Sequence, residues 1–233
     1  MTDSLREHVR KTAQHFDGQA SRYDQSHTVR RFQSRALMCT LSCINLRPGM
    51  RVLDLGCGTG SGTLEIARRV GPSGTVLGLD ASPRMIAEAE RKSGSLGSGS
   101  VSFVVRPAED LNREQAFDVA ICTNAFHHFL DKASVFRRVL HALRPGGTFL
   151  IEDICNNSWK MRALDWVGRV GERAHVGSAR SSDLQQLLES EGFVDAAVER
   201  VRLTWFWEIM IGRGRRPESV AVSRDSESPA PSA

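Results

Sequence analysis

Val52-Leu53-Asp54-Leu55-Gly56-Cys57-Gly58-Thr59-Gly60-Ser61-Gly62 is the stretch that decides the fold of this 233-residue chain. A short apolar run of strand length feeds a glycine-rich turn, and an amphipathic stretch of helix length, Thr63 to Val70, follows. Glycines let such a turn bend sharply and let a ligand approach the backbone without Cβ collisions, while the free N–H groups of the next helix present partial positive charge. Turns of this kind bind nucleotides of several sorts. The dinucleotide fingerprint G-x-G-x-x-G fails, because its third place is Ser61 counted from Gly56 and Thr63 counted from Gly58. A Walker loop would need Gly-Lys-Ser/Thr, which is also missing. Asp54 narrows the choice: a carboxylate beside the turn repels a pyrophosphate and suits a cationic amino group.

Outward from this turn, apolar runs of strand length alternate with amphipathic stretches of helix length: Thr75 to Leu79 then Pro83 to Lys92, Val101 to Val105, Phe117 to Cys122 then Lys132 to Leu143, Thr148 to Ile151 then Ser182 to Glu191. Repeated βα units predict a parallel sheet with right-handed crossovers and helices on both faces. Val194 to Leu203 and Trp205 to Ile211 lie too close for a helix between them and predict a hairpin that adds an antiparallel edge. In that reading Trp205 and Trp207 share one strand face; an aromatic-then-basic membrane contact with Arg213, Arg215 and Arg216 is the alternative. The expected fold is α/β, a Rossmann-like, doubly wound, mostly parallel seven-stranded sheet with an antiparallel edge hairpin and an N-terminal helical arm. The domain boundaries follow: 1–45 an arm or lid of two helices around a polar break at Phe16 to Asp24, 46–212 the α/β domain, 213–233 a disordered tail rich in Ser, Pro and charge. Ser93 to Ser100 reads as a flexible loop.

Net charge is +4, but residues 36–212 carry twenty Lys/Arg and twenty Asp/Glu, so the core has no electrostatic footprint for a phosphate backbone and no nucleic-acid partner is expected. The five cysteines are odd in number and none forms a C-x-x-C pair, which predicts reduced thiols and no metal site. No run of 18 apolar residues and no secretion-signal order appears, so no membrane insertion and a cytoplasmic location are expected.

Asp80 closes the second strand, where a carboxylate can accept both ribose hydroxyls, while Ser82 before Pro83 serves as the helix cap. With both acids in place, the chain resembles the class I S-adenosylmethionine-dependent methyltransferases, and among them the quinone-biosynthesis and small-molecule group, from about Phe16 to Gly212. Asp54 to Gly60 is similar to the first motif of that family and Gly78 to Met85 to its second. Arg106-Pro107-Ala108-Glu109-Asp110 is similar to the adenine segment, Phe117-Asp118-Val119-Ala120 to the fourth strand, and Leu143 to Phe149 to the turn into the fifth. The resemblance implies S-adenosyl-L-methionine as cofactor and a small-molecule acceptor. It gives Gly56, Gly58 and Gly60 to the methionine side, Asp80 to the ribose, and Ala108 with Glu109 to the adenine; Cys57, Ala81 and Asn124 fall among the cofactor contacts. Met85 either packs near the adenine face or serves only the core, and Glu109 is otherwise an exposed loop acid.

After the fourth strand, Asn124-Ala125-Phe126-His127-His128-Phe129 replaces the Asn-Pro-Pro-Tyr of many nucleic-acid and protein amine methyltransferases. His127 or His128 is a candidate general base; the alternative is that both only shape the pocket. Tyr23, the only tyrosine, resembles an arm residue that closes over the cofactor. Trp159, Met161, Leu164, Trp166 and Val167 suggest a helix that lines an acceptor pocket or packs on the sheet edge. Two rivals remain: a non-catalytic S-adenosylmethionine-binding protein of the same fold, and a nicotinamide-dependent oxidoreductase, which would need a Tyr-x-x-x-Lys pair although Tyr23 precedes the whole sheet.

Overall fold

The computed structural model describes residues 2–25, 27–94, 100–157, 179–205 and 207–218, with backbone alone for 27–30. Seven strands form one sheet: β1 (Arg51–Leu55), β2 (Thr75–Asp80), β3 (Val101–Val105), β4 (Phe117–Thr123), β5 (Leu143–Ile154), β6 (Val194–Arg202) and β7 (Glu208–Arg215), in the order β3-β2-β1-β4-β5-β7-β6. The first five pair in parallel. Helices α1 (Asp3–Gln19), α2 (His27–Ser42), α3 (Ser61–Val70), α4 (Pro83–Ser93), α5 (Lys132–Ala142) and α6 (Ser181–Ser190) flank it. This is the doubly wound architecture that the βα alternation predicts.

Strand periodicity decides which helices each face meets. On β4 and β5, Ala120, Cys122, Phe149 and Ile151 enter one apolar cluster with α5 and α6 residues such as Phe136, Val139, Leu184 and Leu188. Their neighbours Val119, Ile121 and Leu150 enter a second cluster, with Ala36 and Leu41 of α2 and Ile66 and Val70 of α3. Each such side chain removed from water contributes roughly 1.5–3 kcal/mol, enough that a one-residue slip of either strand is strongly disfavoured.

The hairpin forms, but β7 is the antiparallel strand and lies between β5 and β6, so the edge strand is β6. Burial explains the order: Ile209, Met210 and Ile211 of β7 fill both clusters, while β6 carries Asp195, Glu199, Arg200 and Arg202, charges that suit an open edge. Trp205 does not share a strand face with Trp207. Leu203 and Thr204 N–H groups both donate to the Trp207 carbonyl, which closes a tight turn and leaves Trp205 83% exposed at its tip. Trp207 packs on Phe32, ring centroids 5.5 Å apart.

Strand β5 begins five residues before Thr148, because Leu143 already pairs with Phe117 ahead of a register shift. Strand β7 runs to Arg215, beyond position 212, and Arg216 donates to the carbonyls of Leu140, His141 and Leu143. In the arm, Gly18 lies inside α1, and the chain turns one step later, at Ala20 to Gln25. The stretch with Trp159, Met161, Leu164, Trp166 and Val167, most of the Ser/Gly loop, and residues from 219 onward lie outside the described residues. Among the described residues no helix is long and apolar enough to cross a membrane.

Candidate active site

The order β3-β2-β1-β4-β5 reverses direction between β1 and β4, and in open α/β sheets ligands bind outside the carboxyl ends of strands at such a point. The glycine turn sits there. Gly56 has φ +68° and a Cβ built on it would stand 2.4 Å from the Ala125 Cβ. Only glycine fits. Gly58 has φ +53° and its Cβ would meet nothing within 4 Å, so the turn leaves open space at that position. The Gly56 and Cys57 amides donate to the Leu79 carbonyl at 2.8 and 3.0 Å, and the Gly58 amide donates to Asp80 Oδ2 at 2.9 Å. Gly60, with φ +77°, opens α3.

Two adjoining cavities share Tyr23, Gly56, Gly58 and Asn124. The first is lined by Asp80, Ala81, Met85, Ala108, Glu109 and His128, with His8, Thr12 and Phe16 of α1 as its outer wall. Asp80 Oδ1 accepts the Ser82 amide at 2.9 Å, so each carboxylate oxygen has one backbone donor and a lone pair left over. Burial pushes the Asp80 and Glu109 carboxyls up. Met85 is 1% exposed yet lines this cavity, so it serves core and wall at once. Ser82 caps α4, its Oγ accepting the Met85 amide, with Pro83 at the first helical position.

The second cavity takes Asp54, Cys57, Thr123 and Glu152, roofed by residues of α2 such as Phe32 and Gln33. Asp54 is 2% exposed and accepts the Thr63 hydroxyl at 2.6 Å; burial pushes its pKa up to about 6. Tyr23 stands between the cavities, its hydroxyl accepting from Gln33 Nε2 at 3.0 Å, and burial raises its pKa. Asn124, with φ +52°, donates its amide to the Glu152 carbonyl at 2.9 Å. Burial carries the Cys57 thiol well above its usual value, which keeps it protonated and uncharged.

The two histidines part company. His127 is buried, its Nδ1–H and backbone N–H both donate to Asp153 (2.8 Å each), and it lines neither cavity. That placement sets His127 apart from both cavities, with Nδ1 engaged in anchoring the loop after β4. Burial would raise Asp153, but the His127 charge and hydrogen bonds outweigh it and hold that carboxyl below its ordinary value. His128 lies tilted against His127 (centroids 3.9 Å) and meets Phe16 edge-on (4.9 Å), in the first cavity rather than the second.

The arm is tied down by residues that sequence reasoning did not single out. Asp17 accepts the Ser82 hydroxyl and the Arg84 amide at the start of α4. His8 Nε2 donates to the His128 carbonyl at 3.0 Å, and Asp24 accepts the Thr59 hydroxyl at 3.1 Å and pairs with Lys92. Glu152 and Asp153 were hidden for another reason: they extend the fifth strand past the apolar run, and an acidic pair there reads as a loop.

Residues 46–192 match the family model described as a methyltransferase domain. The chain is 33% identical over 159 residues to phosphoethanolamine N-methyltransferase 1 of Arabidopsis thaliana, covering 67% of this chain and 31% of that protein. It is 34% identical over 157 residues to the ubiquinone/menaquinone biosynthesis C-methyltransferase UbiE of Vibrio vulnificus, covering 64% and 59%. It therefore spans less than two thirds of either relative. Among solved structures, 1,6-didemethyltoxoflavin-N1-methyltransferase of Burkholderia thailandensis superposes with a TM-score of 0.72 at 19% identity, covering 94% of this chain and 92% of that one, which shows a common fold.

Proposed function

This chain belongs to the methyltransferase-domain family, and we propose that it uses S-adenosyl-L-methionine to methylate a small-molecule acceptor in the cytoplasm. The observation that carries the reading is the pair of joined cavities in which three acids have no cationic partner among the described residues: Asp54 and Glu152 in one, Asp80 in the other. Such a floor favours a ligand with positive charge and disfavours a pyrophosphate. The residues fit this cofactor. Gly58 leaves the clearance that a close-lying chain needs, and Glu152 Oε1, buried without a hydrogen-bond partner, is an acceptor that polar ligand atoms could satisfy.

In this reading Asp80 offers its spare lone pairs to the two ribose hydroxyls, Ala108, Glu109 and Met85 border the adenine, and Asp54 with the glycine turn receives the amino-acid end. When bound, S-adenosylmethionine supplies a methyl group already activated on a sulfonium. The protein's task is then to hold acceptor and donor in line and to exclude water, which accounts for much of the rate in such reactions. Tyr23 and Asn124, placed where the cavities meet, serve that alignment. Two curated relatives named as N- and C-methyltransferases of small molecules support the acceptor class.

Isothermal calorimetry tests the reading directly. S-adenosylmethionine and S-adenosylhomocysteine are expected to bind, with NAD and ATP at least roughly tenfold weaker. Tighter binding of NAD would overturn it. Release of S-adenosylhomocysteine in an acceptor screen separates an enzyme from a non-catalytic binder.

A further inference from the structure

Glu152 is 2% exposed, and its Oε1 has no hydrogen-bond partner. Its backbone is fixed from both sides, paired with Thr123 of β4 and with Ile211 of β7, and its carbonyl accepts the Asn124 amide. Strand alternation sends Ile151 toward α5 and α6 and Glu152 the other way, into the cavity it shares with Asp54, Gly56, Tyr23 and Asn124. A buried polar atom left unpaired is costly, and in a native site it points to a partner that arrives with the ligand.

Resting on the cofactor reading above, we propose that Glu152 is the acceptor-side residue of this site, facing the transferable methyl and taking the proton from a hydroxyl or amine acceptor. The acceptor's O–H or N–H bond breaks and its proton goes to Oε1. The freed electron pair forms the bond to the methyl carbon, and the C–S pair stays on sulfur as a neutral thioether. A carboxylate acceptor has no such proton to give and would meet two acids, so it is disfavoured.

Burial, then the neighbouring Asp153, push the Glu152 pKa up to about 8. The group thus keeps its proton beside an uncharged ligand and yields it beside a cation. The titratable and charged groups around the same cavity are Asp54 on β1, Cys57 in the turn, Glu65 and Arg68 on α3, and Tyr23 and Asp24 in the arm. Glu65 engages Arg68 and Arg69, and Asp24 engages Lys92. Asp153 is turned to His127 on the opposite face.

The test uses sinefungin, an analogue that carries an amine where the sulfonium methyl would be, against S-adenosylhomocysteine, which has nothing there. By calorimetry on the full-length protein, sinefungin should bind about tenfold or more tightly than S-adenosylhomocysteine, the range that one charge-assisted hydrogen bond gives. In Glu152→Gln that ratio should fall to within about threefold of one, with S-adenosylhomocysteine affinity changed by no more than about twofold. An unchanged ratio in the variant overturns the proposal. Should the variant not fold, the wild-type ratio serves: it should climb between pH 6 and 8, approaching tenfold per pH unit, and a flat ratio overturns the proposal. If neither compound binds the wild type, the cofactor reading itself fails, which is a different result.

Discussion

The Gly58 amide donates to Asp80 Oδ2 across 2.9 Å, so the acid that the second strand delivers to the site also holds the glycine turn in shape. Its other oxygen accepts the Ser82 amide. Asp80 therefore differs from a surface carboxylate that only waits for a ligand, and its loss should cost the fold as well as the site.

For Asp80→Ala, two backbone donors lose their acceptor, at about 1–3 kcal/mol each, and the ribose loses both of its partners. Thermal unfolding should drop by several degrees, and S-adenosylmethionine affinity should fall about a hundredfold or more. Asp80→Asn keeps one acceptor oxygen and should lie between. Wild-type affinity and melting temperature in Asp80→Ala would remove both roles.

The pair His127–Asp153 predicts the opposite pattern, a loss of stability with little loss of cofactor affinity. His127→Ala takes away the imidazole and leaves the buried Asp153 carboxylate with backbone N–H donors alone, at a cost of up to about 3–5 kcal/mol. Urea denaturation should show that loss. If the variant were as stable as wild type but failed to bind cofactor, His127 would belong to the binding site after all.

Stability should also depend on pH through the raised carboxyls. Folding lifts Glu152 from an ordinary 4.5 to about 8 and Asp54 from 3.8 to about 6. An acid raised on folding holds a proton that the unfolded chain gives up, so its contribution is complete below the ordinary value and is lost as pH rises through the folded one. Asp153 works in reverse, contributing above the ordinary carboxylate range and losing that contribution as pH falls through its lowered value. Melting curves of Glu152→Gln should be flatter than wild type between pH 6 and 8, and those of Asp54→Asn between pH 4 and 6. Parallel wild-type and variant curves would show that neither group titrates as described.

The arm's tethers give a fourth handle. Asp17 and Asp24 bind α4 and the glycine turn from outside, and α1 walls the first cavity. Replacing both by Ala should weaken cofactor binding by roughly tenfold, since each exposed or half-exposed charged contact contributes about 1 kcal/mol or less. Trypsin cleavage at Arg22 should become faster and remain suppressible by S-adenosylhomocysteine. Cleavage unaffected by ligand would mean that the arm does not close over the cofactor.

The sheet was legible because its signals are local: a five-residue apolar strand, a glycine turn and an amphipathic helix repeat along the chain, and Asp54, Asp80, Ser82 and Glu109 each sit at a fixed step from a strand end. What sequence could not show were contacts made at long range. Asp153 meets His127 across 26 positions and Asp17 meets Ser82 across 65, and no periodicity encodes either. Glu152 was missed because a buried acid breaks the apolar pattern that defines a strand, so the strand was ended too early. The order of the last two strands is not encoded locally either: proximity in sequence gives only a hairpin, and it is the buried apolar residues of β7 that place it inside.

The two glycines of the turn separate folding from binding. In Gly56→Ala the new methyl would stand 2.4 Å from the Ala125 Cβ, backbone-anchored on both sides, at a φ of +68°. Neither residue can move without shifting the loop after β4. In Gly58→Ala the φ of +53° is strained by about 1–2 kcal/mol, but the methyl enters open space. At about 2–4 °C per kcal/mol for a chain of this size, Gly58→Ala should lose roughly 2–8 °C and still fold. Its methyl would then occupy the clearance shared by the two cavities, so S-adenosylhomocysteine affinity should fall about tenfold or more. Gly56→Ala should instead lose several times as much stability as Gly58→Ala in the same melting experiment. A Gly58→Ala protein that bound S-adenosylhomocysteine as wild type does would place the cofactor away from the glycine turn and remove the basis for every contact assigned to it.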